Sequence, residues 1–377
     1  VAVRGTESGC LAIADISGYT SYLAGAELDH AQDVLEDLTQ TVVNALAPPM
    51  KLSKLEGDGI FVYLPGTRVD ASMLLDTLDA AYFAFRRRQE AIDRATQCDC
   101  NACVLIPRLD LKFVAHHGAF GRQRVAGSEE LSGPDVILVH RLLKNRVVEA
   151  IGHAGYALYT DAVVAAMGLE PARLRMRQHA EEVEGTGDVG GWIADLHDRW
   201  TEERERRRVK VGRDEAVGVF VYDVPAPRAL TWSFLTEPEL RARWTPGVKR
   251  VEEASPDGRR GSGTRNHCVH GGNAVTLEEI LDWRPFDYYT IEVKPPMPLL
   301  RPIRITHELE DSPDGTRVTE STAAGRGFGQ RALVRLLGRV MANRFSDGEA
   351  ALRMALAAAQ AEPATAAIDG APEPSGS

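Results

Sequence analysis

The chain has no apolar run approaching the eighteen or so residues of a membrane span, and Val1 to Gly9 lacks the apolar core of a signal peptide. A cytoplasmic protein is expected. It has no excess of positive charge either: 44 Lys and Arg against 54 Asp and Glu give a net charge of −10, which argues against a general nucleic-acid binder. Cysteine is scarce, five in 377 residues, yet three fall within Cys98-Asp99-Cys100-Asn101-Ala102-Cys103. In a cytosolic protein this C-x-C-x2-C spacing points to thiolate coordination of zinc, or less readily of an iron–sulfur group, rather than to disulfides. Thiols in a plain loop are the bland alternative. A tetrahedral site needs a fourth ligand that the sequence does not identify, because Cys10 is expected on a central strand and His116 and His117 lie far along the chain.

What is present is ordinary for a globular protein: 44% hydrophobic and 26% charged residues, in a length that suggests about two domains, each able to bury a core. Lys51 to Leu64 reads as an extended run, a tight Gly57-Asp58-Gly59 turn and the apolar strand Ile60 to Leu64. Glycines on both sides allow a sharp reversal and leave the Asp58 carboxylate at the turn. Upstream, the apolar run Cys10 to Ala14 ends at Asp15 and continues Ile16-Ser17-Gly18-Tyr19-Thr20. Two strand-end aspartates brought side by side can hold hard divalent cations, which prefer oxygen ligands. Taken alone, an Asp-Gly hairpin is more often structural than catalytic.

Together the two segments resemble the class III nucleotidyl cyclase catalytic domain, whose Asp-Ile-x-Gly-Phe-Thr segment and Gly-Asp hairpin match Asp15 and Asp58. The resemblance implies two Mg²⁺ or Mn²⁺ ions held by Asp15, Asp58 and the backbone carbonyl of Ile16. It also implies an adenine-reading pair, Lys54 and Glu130, and a transition-state arginine, Arg141, in the segment Glu130 to Leu142. ATP is then the expected nucleotide. Because the family draws metal ligands from one subunit and the remaining groups from the other, the resemblance implies a head-to-tail homodimer.

Two positions depart from the pattern. Ile137 stands where the family has a ribose-orienting asparagine, and Glu184 where a phosphate-binding lysine is expected; Arg122, Arg124, Lys144 or Arg146 are candidate substitutes. Losing one such group typically costs about a hundredfold to a thousandfold in rate, so a slow cyclase and an inactive nucleotide-binding or dimerisation module both remain open.

Helical spacing over Ser21 to Ala47 and Ala71 to Thr96, a strand over Leu109 to His117 and a closing hairpin near Gly185-Thr186-Gly187 complete a first domain of the α+β class. Its expected form is a ferredoxin-like, class III cyclase-type sandwich over residues 8–198. The charged stretch His197 to Val211 reads as a helical connector, with the linker at 199–214. From Ala216 onward, a strand, two short helices, six strands and an amphipathic helix over Gln330 to Ala359 resemble the START-like (SRPBCC, polyketide-cyclase-type) helix-grip fold. In that fold an antiparallel sheet wraps on a long C-terminal helix, here over 215–360. Val219 to Pro227, Trp244 to Val248 and Glu278 to Phe286 carry this second resemblance. It implies a cavity for a lipid or other hydrophobic small molecule. His267, His270 and His307 fall in or beside its strands but form no acid/base pair or triad, so ligand binding is favoured over catalysis; catalysis in this half is a weaker option. Residues 361–377 read as a disordered tail.

Overall fold

A computed structural model describes residues 6–66, 70–95, 100–125, 128–270, 275–294, 300–325, 327, 329–340 and 342–361. By backbone proximity the chain divides into two units. The first comprises Val1–Lys210, Glu253–Asn266 and Glu278–Glu292; the second comprises Val211–Glu252, His267–Leu277 and Val293–Ser377.

The N-terminal elements run β1 (Glu7–Ser17), α1 (Tyr19–Gly25), α2 (Leu28–Leu46), β2 (Lys51–Glu56), β3 (Gly59–Pro65), α3 (Ala71–Ala95), α4 (Asn101–Val104), β4 (Asp110–Val125), β5 (Ser128–Ser132), α5 (Pro134–Arg141), α6 (Val147–Ile151), β6 (Tyr156–Thr160), α7 (Asp161–Met167), β7 (Arg177–Val183), β8 (Gly187–Asp195) and α8 (Leu196–Glu205). The sheet order is β2-β3-β1-β4-β6-β8-β7, with β5 added to β4. β1 lies antiparallel between β3 and β4, while β4 and β6 are parallel.

Alternation along β1 explains the layering. Cys10, Ala12, Ala14 and Ile16 point to one face and pack with Leu35, Leu38 and Val42 of α2 and Leu74, Leu78 and Phe85 of α3. Leu11 and Ile13 point to the other, against Phe61, Val114, and Val136 and Val139 of α5. A strand buried on both faces needs an unbroken apolar run, which Cys10 to Ala14 supplies. α2 turns its apolar positions 31, 35, 38, 42 and 46 to this core at helical spacing. This is the α+β sandwich expected of a class III cyclase-type domain, resting on strand order and register. The single helix expected over Ser21 to Ala47 is two, α1 and α2, broken where Ala26 and Glu27 take extended conformations.

The later elements are β9 (Gly218–Val224), α9 (Arg228–Thr236), α10 (Pro238–Trp244), β10 (Val248–Ala254), β11 (Arg265–His270), β12 (Val275–Arg284), β13 (Tyr288–Lys294), β14 (Ile303–Ser312), β15 (Gly315–Ala323), α11 (Gln330–Val340) and α12 (Ala342–Ala361). The second sheet has the order β10-β11-β12-β13-β14-β15-β9, and β15 pairs antiparallel with both β14 and β9. α12 packs on α9, α10 and β9, with Leu352 and Leu356 fully buried, as in a helix-grip fold. The connector helix is shorter than expected: α8 ends at Glu205, and no helix follows among residues 206–217. The disordered tail expected over 361–377 lies, beyond Ala361, outside the described residues. No helix among them is long and apolar enough to cross a membrane.

Candidate functional site

β1 and the β2–β3 turn build an acidic pocket. The register places Asp15 opposite Gly59 of β3 and opposite Lys112 of β4, so the carboxylate stands at the sheet end beside the turn that carries Asp58. Gly57 holds φ at +64° in that turn, a conformation glycine adopts without strain. Asp15, Asp58, the Ile16–Gly18 backbone and Lys112 line a cavity of about 530 Å³. Burial, and then the neighbouring Asp15 charge, push the Asp58 carboxyl above the usual carboxylate range. Two crowded carboxylates of this kind form a hard oxygen donor set, to which the Ile16 carbonyl can add, and it fits a divalent cation such as Mg²⁺ or Mn²⁺. One positive charge is already present, because Lys112 Nζ lies 3.0 Å from Asp15 Oδ2. Lys112 also donates to the Leu143 carbonyl at 3.3 Å. The sequence reading missed Lys112; only the β1–β4 register brings it to Asp15.

A second cavity of about 690 Å³ is lined by Lys54 and Glu56 of β2, Ile137, His140 and Arg141 of α5, Lys144, Glu182 of β7 and Glu184 of the β7–β8 turn, three basic side chains against three acidic ones. It shares no lining residue with the first. Lys54 forms an ion pair with Glu56, whose other oxygen lies 3.2 Å from His140 Nδ1. Burial, chiefly, keeps the His140 imidazole below its ordinary pKa. Arg141 donates to the Glu184 carbonyl, so the side chain out of place for a phosphate site is held at its backbone. Ile137 is 55% exposed and offers this cavity no hydrogen bond.

Glu130 is half-buried on β5, opposite Gln123 of β4, and does not line the Lys54 cavity. Glu56 stands there instead, and its signal was available: residues i and i+2 of a strand share a face. His140, next to Arg141, was also overlooked.

The helix that carries Ile137 and Arg141 is fastened at its start. Asp135 Oδ2 accepts from the Ala119 amide at 2.7 Å, and Asp135 Oδ1 lies 3.3 Å from His116 Nε2. His116 Nδ1 in turn meets Thr160 Oγ1 at 2.9 Å. The approach requires glycine at 118, where a Cβ would stand 2.4 Å from the Asp135 carboxyl carbon.

Two of the three cysteines of the expected cluster, Cys100 and Cys103, lie together. Cys98 lies outside the described residues. Cys100 and Cys103, at the start of and within α4, are joined by His30 from the first turn of α2: the three ligand atoms lie within 4.8 Å of one another.

Residues 35–150 match a family model described as a protein of unknown function (DUF2652), and residues 219–356 match one described as polyketide cyclase / dehydrase and lipid transport. An uncharacterized protein of Mycobacterium tuberculosis, Rv2561/Rv2562, is 36% identical over 162 residues, which are 43% of this chain and 73% of that one. Among solved structures, the guanylyl cyclase Cya2 is 14% identical with a TM-score of 0.40, over 51% of this chain and 94% of its own. The adenylyl cyclase CyaB from P. aeruginosa is 15% identical with a TM-score of 0.33, over 51% and 96%.

Proposed function

We propose, for a chain that belongs to the family of the mycobacterial protein Rv2561/Rv2562, that its N-terminal half is an adenylyl cyclase-like module acting as a head-to-tail homodimer on ATP. In this reading the cyclase-like domain spans residues 8–198, the linker 199–214 and the START-like domain 215–360, in a cytoplasmic protein. The observation that carries it is the division of the site: one chain holds an acidic cavity with Asp15 and Asp58 and a separate cavity with Lys54 and Arg141. Neither alone has the groups for the reaction. Two chains related by a two-fold axis would set each acidic cavity against the cavity of Lys54 and Arg141, twice per dimer.

In such a site the ribose 3′-oxygen attacks the α-phosphorus of ATP, its proton is lost, and pyrophosphate leaves with the bonding pair. A pair of Mg²⁺ or Mn²⁺ ions held by Asp15, Asp58 and the Ile16 carbonyl would supply positive charge to the nucleophile and the triphosphate. Lys54 reads adenine, exchanging Glu56 for the base, and Glu130, which does not line that cavity, takes no part. Arg141 leaves the Glu184 carbonyl to stabilise charge on the transferring phosphorus. Ile137 orients nothing by hydrogen bonding, so turnover is slow. The second half binds a lipid or other hydrophobic small molecule that tunes the first, a reading supported by the match of residues 219–356 to a family described in part by lipid transport.

Ile137 and Glu184 favour a second reading, in which the module binds nucleotide or dimerises without turnover. The test is conversion of ATP, with GTP for comparison, by the full chain in Mn²⁺, following cyclic nucleotide and pyrophosphate beside Asp58→Ala. Cyclic AMP that disappears in the variant is expected. No product at concentrations high enough to dimerise selects the second reading.

A further inference from the structure

The group formed by His30, Cys100 and Cys103 lies outside both cavities and has no part in the chemistry above. Its geometry is close to that of a bound metal. His30 Nδ1 lies 3.3 Å from Cys100 Sγ, and Cys100 Sγ lies 3.3 Å from Cys103 Sγ. The sulfur pair is well beyond the length of a disulfide bond, about 2 Å. Around a tetrahedral zinc with ordinary bond lengths, sulfurs stand about 3.8 Å apart and sulfur and nitrogen about 3.6 Å. For these two pairs a change of a few tenths of an ångström reaches those values, and the third pair, His30 with Cys103, lies within 4.8 Å.

The backbone presenting these ligands is held in place. α4 has only four residues, yet Ala102 at its centre is fully buried and tied on both sides. Its amide donates to Glu27 Oε2 at 3.0 Å, and its carbonyl accepts from the Tyr22 hydroxyl at 2.8 Å. The Glu27 carboxylate also interacts with the Cys100 thiol. So the residue just before α2, the first turn of α2 and the short helix α4 meet at one point, with two sulfurs and one imidazole facing each other. By contrast, burial pushes the Cys10 thiol up to about 12, which makes it a core residue rather than a ligand.

We propose that His30, Cys100 and Cys103 bind one Zn²⁺, with the fourth position on the solvent side, next to the Glu27 carboxylate. The mixed sulfur and nitrogen set selects a borderline-soft ion over the Mg²⁺ or Mn²⁺ suited to the aspartates. The ion clamps α4 to α2. Because Tyr22 links α4 to α1, the helix that starts beside the acidic cavity, its loss loosens that cavity wall as well.

The experiment is elemental analysis of tag-free, reduced full-length protein, stripped with a chelator and reloaded with zinc. About one zinc per chain is expected in the wild type and in Asp58→Ala, and none in Cys100→Ser/Cys103→Ser. His30→Ala, at an exposed position that leaves the fold intact, should weaken zinc at least about tenfold in chelator competition. Cobalt in the wild type should give a sulfur-to-metal charge-transfer band and strong tetrahedral d–d bands, the latter altered by His30→Ala. Equal zinc in the wild type and the double variant, an unchanged cobalt spectrum in His30→Ala, or a reduced wild type that binds no zinc would overturn the proposal. So would a Cys100–Cys103 disulfide as the resting state, read from the mass. None of these readouts depends on nucleotide turnover.

Discussion

The two cavities of the N-terminal half differ in composition: one gathers two aspartates and a lysine, the other balances three basic side chains against three acidic ones. In the first, Lys112 offsets Asp15; in the second, Glu56 offsets Lys54, and the Glu184 carbonyl occupies Arg141. Each cavity thus holds an ion pair within its own chain, while Asp58 stands beside Asp15 with one lysine for two carboxylates. The Lys54–Glu56 pair is the more exposed, and exposed pairs are worth about 0–1 kcal/mol, little enough for a triphosphate to displace.

The sharpest way to break this comparison is to damage the cavities in different chains. Asp58→Ala and Arg141→Ala should each lose about a hundredfold or more in cyclic AMP formation. Mixed in equal amounts, they should recover about a quarter of wild-type activity, because half the dimers are mixed and each of those holds one intact site of two. If the mixture stays as inactive as its components, both cavities do not serve one shared site. A smaller effect is expected from the vacant polar position: Ile137→Asn should raise kcat about tenfold or more with less change in KM, measured in steady state. Unchanged kcat would mean that the exposed side chain does not face the reacting ribose. Smallest is Glu56→Gln, which releases Lys54 and should tighten ATP binding by no more than about fivefold. Calorimetry with a non-hydrolysable analogue measures it, and weaker binding would assign Glu56 to the nucleotide instead.

How much of this was legible in sequence depended on how local the signal was. The Gly57-Asp58-Gly59 turn, Asp15 at the end of an apolar strand and the order of elements in both halves follow from residues adjacent in the chain, where periodicity and turn chemistry act. Lys112 was not legible, because only strand register sets it opposite Asp15. His30 was further out of reach, 70 residues before Cys100 and on a helix whose first turn looks like any solvated turn. The fourth-ligand search among Cys10, His116 and His117 failed for the same reason: His116 is committed to Thr160 and Asp135, and Cys10 is sealed in the sheet. Glu130 was proposed as Lys54's companion from the family pattern, whereas a same-strand neighbour stands closer.

The helix α5 is held at both ends. Asp135 ties its start to the sheet, while beyond Arg141 the Leu142 side chain is buried and the Leu143 carbonyl accepts from Lys112, whose other partner is Asp15. One lysine therefore joins the end of the helix that bears Arg141 to the acidic pocket, and a cation that displaced Lys112 from Asp15 would be felt at that helix within the same chain.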